Sequence, residues 1–308
     1  MPVPLSRTFL AKVGSFLGIA IGVTGIAFVT RTLISKWTEV QDAFSQVEAL
    51  NLVVSLALGL AAMTVIGSIW VTMLTSRSHQ VRHRVALSWY FTGQLGKYVP
   101  GGIWPIVGRA ELAARNNIPR VDAYASTGLS LVSTYLAAIV AVAIGALATS
   151  GHRIIGIVIS ALLAVGFAVF SNEKLRIAIV SIASRISPAA QSLTDPVRLA
   201  KLVLMHLPAW VLMSLSTSVT AQAFGANIGV AEMLFITSTS WLIGFVVIGV
   251  PGGIGVREAV FTSLAGGIVG VPMAVSLALL SRVVFITVDL SGALASNLIA
   301  RASRSVKS

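Results

Sequence analysis

Long apolar runs separated by short charged loops dominate the chain. Val13–Thr30 carries no charge over 18 residues, Leu50–Ser76 none over 27, Ala123–Gly151 none over 29 and Ile154–Asn172 none over 19. Leu202–Ala231 holds no Lys, Arg, Asp or Glu over 30 residues, though it contains His206. Val271–Ala300 is apolar apart from Arg282 and Asp289. A bilayer crossing needs about 20 mainly apolar residues, so these segments predict six spanning helices. Two further apolar segments, Val85–Gly108 and Met233–Val256, each contain Pro-Gly-Gly. The uninterrupted part of the first, Val85–Gly96, has only 12 residues and is followed by Lys97, Pro100 and Pro105. A run that short beside a Pro-Gly break predicts a re-entrant hairpin. The second segment is long enough to cross, with Ala259–Ser281 available to cross back, so the pattern leaves both topologies open there. Two amphipathic stripes predict helices lying in the membrane surface: Trp37, Val40, Phe44 and Val47 outside, and Leu175, Ile179, Ile182 and Ile186 inside.

Composition narrows the class. Of 308 residues, 56% are apolar and only 10% charged, with a mean hydropathy of +0.91. A soluble domain carries about 25% charged residues, so a water-facing globular enzyme, a disordered chain and a fibrous one are excluded. Unbroken apolar runs also exclude a transmembrane barrel, whose strands alternate. Basic residues outnumber acidic ones 22 to 10. They sit in short loops, which makes them a topology signal rather than a nucleic-acid footprint. With Val85–Gly108 re-entrant, sixteen basic residues fall on one side and three on the other, leaving Lys97, Arg257 and Arg282 unassigned. A crossing there would invert the bias. The positive-inside rule therefore puts both termini in the cytoplasm of a multi-pass inner (plasma) membrane protein. There is no cysteine, no metal-ligand spacing and no phosphate-binding loop, so no catalytic residue, metal or cofactor is expected.

The most informative feature is a duplication. Gly96–Leu112 reads GKYVPGGIWPIVGRAEL and Val247–Val260 reads VIGVPGGIGVREAV. Both hold Val-Pro-Gly-Gly-Ile and then an Arg and a Glu, and Pro100 and Pro251 are 151 residues apart. Each half reads crossing, crossing, hairpin, crossing. Three crossings per half is odd, so the second half (152–308) is expected to be inverted relative to the first (1–151) within a single membrane domain. Inverted repeats with broken helices build transport sites where the repeats meet. The expected fold is thus an all-α polytopic membrane protein, with an inverted repeat, about six spanning helices and two re-entrant PGG hairpins.

Charged side chains at membrane depth cost on the order of 3 kcal/mol each and need a reason. The candidate substrate-binding residues are Lys97, Tyr98, Gly101, Gly102, Arg109 and Glu111 on the first hairpin. On the second they are Gly252, Gly253, Arg257 and Glu258, joined by Arg282 and Asp289 two turns apart on one face of the last helix. Glu258 is a candidate partner for Arg282. The glycines permit tight turns and leave amides free to face an anion such as phosphate. His206 is expected to be a buried, hydrogen-bonded side chain.

Gly96–Arg109 with Arg115-Asn-Asn-Ile118, and Pro251–Val260 with Ala274, Leu280, Ser281 and Arg282, resemble the signatures of the lysylphosphatidylglycerol synthase transmembrane, or flippase-like, family. The resemblance spans about residues 10–300 and is to a stand-alone member without the aminoacyl-transfer domain. At Trp104-Pro105 the chain departs from the smaller, Gly-containing stretch of the family. The resemblance implies lipid translocation without enzymatic chemistry: an anionic phospholipid or a polyprenyl-phosphate-linked sugar moving through a groove between the hairpins. The expected partners are membrane lipids with an anionic head group and, on the resemblance, membrane glycosyltransferases; no nucleic acid is expected. A gradient-coupled small-solute or ion transporter, or an accessory subunit of a glycosyltransferase system, fits the same architecture.

Overall fold

The computed structural model describes residues 31, 34–35, 37–38, 48–75, 81–99, 103–184, 195–246 and 251–305. The predicted span Val13–Thr30, most of the Trp37 stripe, Ile186, and the first-tip glycines Gly101 and Gly102 lie outside the described residues. Within them the chain is almost wholly helical and has no strand, an all-α polytopic membrane protein. The helices are α1 (Ala49–Thr75), α2 (His83–Gln94), α3 (Trp104–Ala114), α4 (Arg120–Ala148), α5 (Arg153–Ser171), α6 (Glu173–Ser184), α7 (Pro196–Ala223), α8 (Val230–Val246), α9 (Val256–Val269) and α10 (Val271–Ser305). Five of these, α1, α4, α5, α7 and α10, are long and apolar enough to cross a membrane.

The boundaries follow local chemistry. The span expected over 202–231 sits earlier, as α7. Pro196 occupies the first turn, and the Asp195 carboxylate accepts from the N–H groups of Val197 and Arg198 at 2.9 and 3.1 Å, a helix start set by an N-cap and a proline. The helix stops before Gly225, which has φ +71°. The second PGG region is broken into shorter helices. Helix α8 has 17 residues and α9 has 14, and Gly270 at φ +81° separates α9 from α10. Ala259–Ser281 is therefore not one helix.

In both PGG regions the described helices that flank the motif pack against each other. In the first, Gly96 faces Trp104 and Pro105 while Gly93 faces Gly108 and Arg109. In the second, Gly244 faces Gly253 and Arg257. The tips touch: Gly252 lies against the carbonyl oxygen of Lys97.

At the centre α1 packs on α7, and the two run antiparallel. Glu48 N–H donates to Ala223 O at 3.1 Å at one end, and Ile69 and Met73 share a buried cluster with Leu202 at the other. Between them the Ser55 hydroxyl donates to Ser216 O and the Ser216 hydroxyl to Ser55 O, both at 2.8 Å. Hydroxyl bonds and small residues of this kind hold helices together in lipid, where apolar surface alone gives no preference for a neighbour. The remaining contacts come in matched pairs: α2 lies on α10 as α8 lies on α4, and α3 on α4 as α9 on α10. Helix α5 lies outside this body, with only Gly156 buried, against Leu147 and Ala143 of α4.

Candidate functional site

A cavity of about 130 Å³ opens where the two hairpin tips meet α10. Four cations line it: Lys97 from the first tip, Arg109 from α3, Arg257 from α9 and Arg282 from α10. Tyr98 and Gly252 also reach it.

Helix α10 tethers both tips. Asp289, 1% exposed, pairs with Lys97 Nζ at 2.6 Å and accepts a hydrogen bond from the Tyr98 hydroxyl, both on Oδ2. Its Oδ1 is buried and has no partner among the described residues. Two turns earlier, Arg282 Nη1 donates to Gly252 O at 2.7 Å and lies 3.6 Å from Glu258 Oε1. Glu258 Oε2 accepts from Gly255 N–H at 2.6 Å, which ties the carboxylate to the start of α9. The seven-residue spacing of Arg282 and Asp289 puts them on one helical face, so one helix reaches both tips with opposite charges.

The second tip can be this tight because of its glycines. Gly252 and Gly253 have φ of +54° and +71°, and a Cβ on Gly253 would lie 2.8 Å from Gly244 O. Only glycine combines that conformation with that approach.

Arg109 and Arg257 differ from the tethered pair. They are 5% and 8% exposed, yet no carboxylate pairs with either among the described residues. Arg109 Nε donates to Pro105 O at 3.0 Å and its guanidinium lies 5.1 Å from the Tyr90 ring centre; Arg257 lies 5.3 Å from that of Phe285. Each arginine is seated in a glycine notch. A Cβ on Gly93 would lie 2.9 Å from Arg109 N, and one on Gly244 would lie 2.9 Å from Arg257 Cβ. Both glycines precede their hairpin's proline by seven residues. Sequence reasoning missed these notches, although that shared offset was available to find them.

An aromatic cluster, also unforeseen, forms part of the cavity wall. The Trp241 ring is 4.9 Å from Trp210, 5.1 Å from Tyr135 and 4.5 Å from Phe245, centre to centre. All four line the cavity, and Trp210 Nε1 is a buried donor with no acceptor among the described residues.

Of the predicted residues, Lys97, Tyr98, Arg109, Gly252, Arg257 and Arg282 thus share one cavity, with Asp289, Glu258 and Gly253 packed directly behind it. Glu111 is elsewhere. It pairs with Arg120 at 3.2 Å and accepts from Tyr124 at 3.1 Å, tying the end of α3 to the start of α4. The Arg120 guanidinium, helped by the Tyr124 hydroxyl, holds the Glu111 carboxyl below the usual carboxylate range. Trp104 and Pro105, the departure in the first signature, fit because Gly96 faces them; a Cβ there would lie 2.7 Å from the Trp104 carbonyl carbon. His206 is fully buried with Nδ1 2.7 Å from Leu202 O, and lies outside the cavity lining.

A sequence model of the lysylphosphatidylglycerol synthase transmembrane region matches residues 15–290. The chain belongs to that family. Membership in the lysylphosphatidylglycerol synthase transmembrane family places the chain among multi-pass membrane proteins with a lipid-related role. No curated protein matches the chain.

Proposed function

We propose that the protein is a lipid translocase, without enzymatic chemistry of its own, that carries an anionic head group across the membrane between the two hairpin tips. One observation carries this reading: two buried arginines without carboxylate partners face a cavity at the junction of two broken helices. A buried charge costs several kcal/mol unless something pairs with it, and an anionic head group supplies that partner in transit. The aromatic wall offers an apolar path for the first carbons of the tails.

The hairpins are re-entrant in this reading, and the halves form an inverted repeat. Their short arms, their meeting tips and the antiparallel pairing of α1 with α7 support both points. No nucleotide-binding loop is present, so the drive is a gradient or consumption of the product. Both termini are cytoplasmic in the inner membrane, and reporter fusions placing them on opposite sides would sink this topology.

Reconstitution tests the function. Purified protein in liposomes is expected to speed head-group exposure of a fluorescent anionic lipid, and the double variant Arg257→Ala, Arg282→Ala to lose that acceleration. No acceleration for any lipid by folded protein would reject the translocase reading.

A further inference from the structure

Resting on the translocase reading, the charge of the site narrows its substrate. The chain has ten acidic residues. Glu39 and Asp42 lie outside the described residues. Glu48, Glu173 and Asp195 are exposed, and Glu111, Asp122 and Glu232 are half-buried at helix ends. Only Glu258 and Asp289 are buried, and both are already engaged, by Arg282 and by Lys97. Lys97 with Asp289 sums to zero whichever member holds the proton, and Arg282 sums to zero with the Glu258 carboxylate. Arg109 and Arg257 are left over, and arginine stays protonated in proteins. The cavity therefore carries a formal charge of about +2 in an environment where an uncompensated charge is costly.

A phosphate monoester matches that charge, carrying about −1.5 to −2 at neutral pH. Guanidinium groups suit it, since arginine binds phosphate oxygens in a planar, two-pronged geometry.

We infer that the site takes a lipid ending in a phosphate monoester, with Arg109 and Arg257 clamping the doubly charged group. The glycine notches at Gly93 and Gly244 position the two arms of the clamp. Lipids whose phosphate is a diester carry one charge fewer and leave one arginine uncompensated.

The test is a titration of the full chain in detergent, read by the fluorescence of the cavity tryptophans. Four short-chain lipids are compared: dioctanoyl phosphatidic acid, its methyl ester dioctanoyl phosphatidylmethanol, dioctanoyl phosphatidylglycerol and dioctanoyl phosphatidylcholine. The acid and the methyl ester differ by one methyl and about one charge. The acid is expected to bind about tenfold tighter or more, the worth of one charge-assisted hydrogen bond. Arg109→Gln and Arg257→Gln are each expected to erase that preference, Arg257→Lys to keep part of it, and Glu111→Gln to leave it unchanged. Equal binding of the acid and its methyl ester overturns the proposal, as does a full preference in either Gln variant. Inorganic phosphate competing as well as the lipid acid would make the ligand a free anion and overturn the lipid source. The liposome assay separates this inference from the translocase reading. Phosphatidic acid bound selectively with no lipid flipped rejects translocation and keeps the clamp, whereas phosphatidylglycerol bound and flipped equally well rejects the clamp and keeps translocation.

Discussion

The two hairpin tips share a Val-Pro-Gly-Gly-Ile motif but are held in different ways. The first is held through side chains, Lys97 and Tyr98, both converging on one carboxylate oxygen of Asp289. The second is held through its backbone, with Gly252 O on Arg282, and by a carboxylate, Glu258, bound to both Arg282 and Gly255 N–H. The first tether is a single point with no substitute. The second is a small network in which each member has another partner. A duplicated motif therefore does not fix what anchors each tip. The anchors come from one helix, α10, using opposite charges seven residues apart.

This contrast predicts unequal damage, and the largest effect belongs to the first tip. Asp289→Ala leaves the half-buried Lys97 without a counter-charge and is expected to cost about 3 kcal/mol, measured as unfolding in detergent. Lys97→Met, Asp289→Leu together are expected to cost less than Asp289→Ala alone, because no stranded charge remains. A double variant worse than Asp289→Ala would break the tether model.

Arg282→Ala comes next, at about 1–3 kcal/mol, because Glu258 keeps its bond to Gly255 N–H. The same measurement on both variants tests the ranking, and a larger loss for Arg282→Ala would reverse the comparison.

Gly244→Ala sharpens what the hairpins have in common. The added Cβ would push on Arg257 Cβ at 2.9 Å, an overpacking cost of about 1–3 kcal/mol. Gly93→Ala is expected to act alike on Arg109, so both variants should slow lipid flipping together. A change in only one of them would show that the two notches are not equivalent.

The smallest effect lies at Glu111, at the surface end of the first hairpin. Its carboxyl is held below the usual range by Arg120, so its contribution is present at neutral pH and lost as pH falls through the lowered value. Exposed pairs contribute little, so Glu111→Gln is expected to lower Tm by about 1 °C or less at pH 7. That difference should vanish in acid, and flipping should be unchanged. Slower flipping by this variant would bring Glu111 back into the pathway.

The sequence was explicit wherever a property depends on composition or a local signal. Apolar runs located the helices of membrane length because lipid offers backbone groups no other partner. The second PGG located the break before α9, because a proline and the positive-φ Gly252 and Gly253 do not continue a helix. The Glu258–Arg282 contact followed from two charges that each needed a partner at membrane depth. Only the tertiary structure decided which charges neutralise each other. Lys97 and Asp289 lie 192 residues apart, so nothing local in the chain joins them. Glu111 resembled Glu258 in its motif yet turned away from the cavity, because Ala110 separates it from Arg109 whereas Glu258 follows Arg257 directly, and one more residue turns the acid about 100° further around the helix. The two unpaired arginines that define the site are visible only by subtraction, after every buried carboxylate has been assigned across the fold.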